Sequence, residues 1–194
     1  MNKTLKKIIF LFFLINLQNL YAKDIPILVI SPSKTPQSSS TVGTSVTVLN
    51  EKDLDNSNKS FLGDTLNASV TGLNFFQTGG PGTQMGIQLR GLPKAYSTVY
   101  VDGVKKSDST TPKNDFYFDD ILTGQVSRVE ILKGNQSSMY GSGAMGGAIN
   151  IFSKQGNGEF KKDYSYSTGS DKMHSLNLSY GGSDNKKDFY IGLE

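Results

Sequence analysis

Apolar residues are spaced in three ways along this chain, and each spacing predicts a different structure. Residues 8–14 (Ile-Ile-Phe-Leu-Phe-Phe-Leu) are an unbroken apolar run. Lys3, Lys6 and Lys7 precede it, and the small residue Ala22 follows before Lys23-Asp24. The order basic, apolar, small is that of a secretory signal over residues 1–22, cut after Ala22. The run is shorter than the roughly 20 apolar residues a membrane helix needs. A short membrane anchor is the competing reading.

Residues 25–30 (Ile-Pro-Ile-Leu-Val-Ile) are apolar and β-prone, and Pro26, Pro32 and Pro36 bar a helix or a central strand there. Two readings stand for this extended tether over residues 23–40. It is a peptide that adds a strand to a partner's sheet edge, or an ordinary edge strand of its own domain.

Between residues 41 and 155 the pattern is mixed. Val46 and Val48 share one face of a strand at 44–49, and Asn50 opens a helix at 50–54. A second helix at 60–66 has Phe61, Leu62 and Leu66 on its apolar side. A strand at 74–76 runs into an irregular Gly/Pro loop at 78–83. Strands follow at 86–91 and 98–104, the second ending on the turn pair Asp102-Gly103. Residues 105–117 form a polar loop. Asp119-Asp120 is expected to cap a helix starting at Ile121-Leu122. In a strand at 126–132, alternation places Val126, Arg128, Glu130 and Leu132 on one face, with Ser127, Val129 and Ile131 on the other. A short turn or helix at 137–140, a glycine loop at 141–147 and a strand at 148–152 complete an α+β domain. Residues 155–158 read as a hinge.

After residue 158 the period is strictly two. Tyr164 and Tyr166 alternate with serines. His174, Leu176, Leu178 and Tyr180 oppose Ser175, Asn177 and Ser179, and Phe189, Ile191 and Leu193 oppose Tyr190 and Gly192. Turns are expected at 169–171 and 181–185. These segments are consecutive strands of a transmembrane barrel, apolar outside, or a soluble meander with one wet face.

Composition narrows the function classes. The formal charge is +3, but the signal holds three lysines and no acid, so 3 − 3 = 0 remains on the 194 − 22 = 172 residues after it. No basic balance is left to steer the chain to nucleic acid. Cysteine is absent, which removes disulfides and thiolate metal sites. The 21 glycines and the lack of tryptophan favour strands and turns. The one histidine, His174, has no ligand company for a metal and no serine–acid company for a triad. Residues 141–146 spell GxGxxG, but they lead straight into a strand, and Glu159 is too near to serve as the ribose acid. Of the 20 basic residues only Arg90 and Arg128 are arginines, so these two places are expected to need a planar, bidentate fork.

Arg90-Gly91, the run 99–104 (Val-Tyr-Val-Asp-Gly-Val), the run 126–134 (Val-Ser-Arg-Val-Glu-Ile-Leu-Lys-Gly) and the glycine-rich run 137–151 occur in this order. Together they resemble the plug of TonB-dependent outer-membrane receptors, over residues 27–155. The resemblance implies a plug domain at 41–155 with a small mixed sheet and short helices. Residues 156–194 become the first antiparallel strands of an incomplete transmembrane barrel. The tether at 23–40 becomes a coupling box (Ile27, Leu28, Val29, Ile30, Ser31) and linker, which favours strand addition to a TonB-type protein of the inner membrane. Arg90, Arg128 and Glu130 are implied as a charge cluster facing glutamates of the barrel wall. Gly91, Asp102, Gly103, Lys133, Gly134, Tyr140, Gly141, Gly146 and Gly147 match the plug motif. Gly80, Gln84, Tyr96, Phe116 and Tyr117 lie on the implied ligand-facing loops.

The implied activity is uptake of a scarce nutrient, a ferric siderophore or cobalamin, across the outer membrane of a Gram-negative bacterium. No cofactor, metal site or catalytic residue is implied. The alternative is a secreted plug-like binding module without transport. A closed barrel of about 22 strands needs several hundred residues, and 36 follow Gly158. Three explanations fit this shortfall, a truncated gene product, a fragment of a longer chain or a standalone plug, and the expectation is a truncated receptor.

Overall fold

The computed structural model describes residues 28–29, 33, 35–80, 82–113, 115–184 and 187–193. The expected signal segment, and Ile27, Ile30 and Ser31 of the expected box, lie outside them.

Strands β1 (Leu28–Val29) and β2 (Gln37–Ser38) pair antiparallel. The plug region is built on five strands: β3 (Ser45–Asn50), β6 (Ser97–Val101), β7 (Val104–Lys106), β8 (Val126–Lys133) and β9 (Gly147–Ser153). Their order is β3-β8-β9-β6-β7, with β6 and β9 parallel and the other pairs antiparallel, so the sheet is mixed. A separate hairpin joins β4 (Leu73–Gln77) to β5 (Met85–Leu89).

Helix α1 (Glu51–Asp55) starts where the sequence places it. The Asn50 side chain accepts from the Asp53 amide at 3.2 Å, and Asp53 accepts from the Asn50 amide at 3.0 Å, a reciprocal cap for two otherwise unpaired donors. Helix α2 (Leu62–Ser69) buries Leu62 and Leu66. Gly63 in it has no Cβ, and that lets Met85 and Phe75 of the hairpin close onto the helix. Helix α3 (Ser137–Tyr140) is a single turn.

The main core lies on one side of the sheet, where Val129, Ile131, Ile149 and Ile151 meet Leu54, Leu62, Leu66, Ile87 and Leu89. A thinner cluster of Leu132, Tyr140, Ala144 and Ala148 covers the other side.

Four expectations are corrected. A bulge between Val126 and Arg128 shifts the register of β8 against β9, so Val126 joins the core with Val129 and Ile131 instead of sharing a face with Arg128. No helix starts at Ile121-Leu122; only a 3₁₀ turn follows, at Thr123–Gln125. Ile121 is taken up by the Leu62 amide, which donates to its carbonyl at 2.9 Å, and Leu122 bridges to Phe61. Strand β11 (His174–Asp184) runs through Gly181-Gly182, where the sequence suggested a turn, because those glycines leave room for the rings of Tyr190 and Phe160. The expected hinge is fastened: Gly156 is buried against the carbonyls of Gly182 and Phe189, and the Ser183 amide donates to the Gly158 carbonyl at 2.8 Å.

Strands β10 (Lys161–Thr168), β11 and β12 (Lys187–Leu193) form an antiparallel sheet in that order. Tyr164, Leu178 and Leu193 fall in one cross-strand row, and Tyr180 pairs with Ile191. All five are exposed, with Tyr164 at 84% and Leu193 at 65%. Ser175, Asn177, Ser179 and Tyr190, on the opposite face, are half-buried. The apolar side of this sheet points outward and the polar side inward.

Candidate functional site

Two of the expected ligand-facing loops, those of Tyr96 and of Phe116-Tyr117, meet at one lysine. Lys94, in a 3₁₀ turn (Lys94–Tyr96), lays its stem across Gly86 of β5. Its ammonium donates to Tyr117 Oη at 2.6 Å, stands 3.3 Å from Asp115 Oδ2 and lies 4.1 Å from the centre of the Tyr117 ring. Burial alone would lower the Lys94 pKa, but the hydrogen bonds to Tyr117 and Asp115 and the carboxylate's charge outweigh it and raise it above 10.5. Tyr96, Gly80 and Gln84 are exposed and Tyr117 is half-buried. Phe116 turns inward instead, packing edge-on to Phe118 at 4.9 Å and against the core. Earlier in the same loop, Asp108 accepts from the hydroxyl and amide of Thr110, which lowers its pKa.

The expected charge cluster divides. Arg128 and Glu130 form an ion pair in which Glu130 is fully buried, and the Arg128 guanidinium lies 5.0 Å from the Phe152 ring centre. Arg90 lies elsewhere. Its guanidinium nitrogen approaches Gly134 and its charge acts on Lys133, five residues along β8 from Arg128, about 16 Å at the rise of a strand. Burial first, and the Arg90 charge second, lower the Lys133 pKa below 10.5. Lys133 Nζ donates to the Thr71 carbonyl at 2.8 Å.

The motif residues are structural. Asp102 and Gly103 both have positive φ, 48° and 81°, and turn β6 back into β7. The Asp102 carboxylate accepts from the Ser153 amide at 2.9 Å and its hydroxyl at 2.7 Å, fixing the end of β9. Gly91 follows Arg90, also at positive φ. Tyr140 stacks edge-on to Tyr100 at 5.1 Å, and its hydroxyl accepts from Asn150 at 3.3 Å. Gly141 ends α3, and the Gly146 amide donates to the Tyr96 carbonyl at 2.8 Å. At Gly147, φ is +151° and a Cβ would overlap the Leu132 carbonyl and the Leu89 side chain. Of the expected box, Leu28 and Val29 pair with Ser38 and Gln37, and Val29 is buried.

A cavity of about 1130 Å³ separates the plug region from the three-stranded sheet. Glu51, Asp55 and Lys59 line one side and Ser175, Asn177 and Ser179 the other. Lys154 pairs with Glu51 at 2.9 Å. Burial would lower its pKa, but Glu51 first, then Asp55 and Tyr190, raise it above 10.5. Sequence reasoning missed Lys94, Asp115 and Lys154. Their partners are 21 to 103 residues away, and no local spacing links them.

The profile of the TonB-dependent receptor plug domain matches residues 38–148. The vitamin B12 transporter BtuB of Vibrio vulnificus is 28% identical over 151 residues, which is 78% of this chain and 24% of that protein. Among solved structures, the ferric yersiniabactin uptake receptor FyuA of Yersinia pestis aligns with a TM-score of 0.61 at 26% identity, covering 77% of this chain and 23% of that one. The ferric preacinetobactin receptor BauA of Acinetobacter baumannii has the same fold, with a TM-score of 0.68 at 16% identity over 85% of this chain and 24% of its own. The chain thus spans about a quarter of the length of the relatives it matches. With the mixed sheet, the matched motif and more than half of its length inside the profile, the chain belongs to the TonB-dependent receptor plug domain family.

Proposed function

We propose that this chain is the plug region, with the beginning of the barrel, of an outer-membrane receptor for energy-coupled uptake of a ferric siderophore or cobalamin. The observation that carries this reading is the orientation of β10–β12, apolar side out and polar side toward the plug. From His174 to Asp184, β11 is about 34 Å long at 3.4 Å per residue. Tilted by about 40°, it rises about 26 Å, close to the apolar band of about 25 Å that an outer-membrane barrel presents to lipid. Phe160 and Phe189 stack toward one end and Tyr166 stacks on His174 at the other, as aromatic rings do at membrane interfaces. A secreted module would expose the same face to water, which argues against it.

Residues 1–22 export the chain. Ile27–Ser31 is the box that pairs with a TonB-type protein of the inner membrane, and that protein supplies work by pulling. Arg90 and Lys133 present two neighbouring cations, and glutamates of the barrel wall offset them, while Arg128 and Glu130 pair within the plug. Ligand rests on the loops around Lys94. The relatives are named as transporters and uptake receptors, which supports a receptor rather than an enzyme.

Leu28→Pro removes the amide that strand pairing requires. The variant is expected to lose capture by the periplasmic domain of a TonB-type protein in a pull-down, with ligand binding unchanged. Equal capture of variant and parent would overturn the box assignment.

A further inference from the structure

Lys94 is where three stretches of chain meet. Its stem crosses β5 at Gly86, where a Cβ would stand 3.1 Å from Lys94 Cδ. Its ammonium holds Tyr117 and Asp115 from the far end of the polar loop. That loop is closed on itself: the Asp108 amide donates to the Asp115 carbonyl at 2.8 Å, and the Asp115 amide donates to Thr111 Oγ1 at 2.8 Å. Asp115 is only 9% exposed, and its Oδ1 has no hydrogen-bond partner among the described residues. A carboxylate buried this far needs a countercharge, and Lys94 provides it. The next anchor of the loop, the Phe118 amide donating to the Met85 carbonyl at 2.9 Å, lies on the same strand β5.

We propose that Lys94 is the positioning residue of the ligand-facing surface, clamping the 107–117 loop onto the β4–β5 hairpin through Asp115 and Tyr117. The role rests on the reading that these loops face the ligand. The clamp has two consequences there. The loop meets the ligand already ordered, so its ordering cost is not taken from binding. Because Lys94 donates to the Tyr117 oxygen, the phenol keeps its own proton for an acceptor atom on the ligand.

The test uses the full chain in detergent and follows trypsin cleavage by mass at Lys113, inside the loop, and at Lys52, outside it. Both sites are exposed. Lys94→Met should speed cleavage at Lys113 about tenfold, the scale of one lost charge-assisted contact, with Lys52 unchanged. Lys94→Arg, which keeps the charge, should stay within about twofold of the parent. Tyr117→Phe, which removes only the phenol oxygen, should fall between. An unchanged Lys113 rate in Lys94→Met overturns the clamp. So does an equal acceleration at both sites, because Lys94 would then be a general stability residue. The measurement involves no ligand and no TonB-type partner, so it fails independently of the receptor reading.

Discussion

Single side chains here are set by burial and by the charges around them, and Lys133 shows both. Its pKa is lowered, by burial first and by Arg90 second. A lysine whose folded pKa lies below the unfolded 10.5 costs stability while it is protonated. Stability therefore rises with pH between the lowered folded value and 10.5. Lys94 and Lys154 act in the opposite sense: their pKa values are raised, so their contribution is complete below 10.5 and is lost only as pH climbs past it. Of these three lysines only Lys133 makes stability rise with pH below 10.5. Arg90→Gln should bring the Lys133 pKa part of the way back and flatten the rise below pH 10.5. It should also add on the order of 0.5 kcal/mol at pH 7, the scale of a partly exposed charge pair. Urea unfolding at pH 7 and pH 10 checks this, and an unchanged pH slope would show that Arg90 does not act on Lys133. Arg90 and Arg128 stood out in the sequence because they are the only arginines among 20 basic residues. Lys94 did not, being one of 18 lysines, and what sets it apart is a contact 23 residues away.

Elements whose periodicity is fixed by a single buried face were legible, and elements set by a neighbour were not. Asn50 with Asp53 writes its helix start into four residues, and the Asp102-Gly103 turn needs only two. The bulge in β8 depends on how Ser153 and Phe152 meet that strand, and the extended path of Ile121-Leu122 depends on helix α2, so neither is local. Glycines fall on both sides of this division. Gly147 sits opposite Lys133 in the β8–β9 register, at a φ of +151° and under the Leu132 carbonyl. Gly147→Ala would have to adopt that backbone and displace a strand, costing about 3 kcal/mol by strain and overpacking together. Gly43→Ala, where no atom lies within 4 Å of the added methyl, should change stability by less than about 0.5 kcal/mol. Urea midpoints of the two variants should separate clearly. A mild effect at Gly147 would mean that β8 and β9 yield easily at this point.

At the scale of the molecule, the alternation after residue 158 was visible but its direction was not. A soluble meander and a barrel wall share one period, and they differ only in which face meets the rest of the protein. The chain answers by contact: Gly156 packs on Gly182, Ser183 bonds to Gly158, and the serine–asparagine face turns to the plug. The apolar face is then the one left for lipid. Adjacent residues of β11 should therefore respond in opposite ways to the same charge. Leu178 points outward at the middle of the strand, and Ser179 points to the cavity. Leu178→Arg should weaken partition of the chain into lipid vesicles by about 2–4 kcal/mol, the cost of a cation at mid-bilayer on the lipid face of a barrel. Ser179→Arg should leave partition within about twofold, because its guanidinium stays in a polar cavity lined on its far side by Glu51 and Asp55. Equal losses at both positions would remove the inside–outside assignment of the sheet, and with it the observation on which the receptor reading rests. A loss at Leu178 alone would tie the orientation of this strand to lipid on its apolar side.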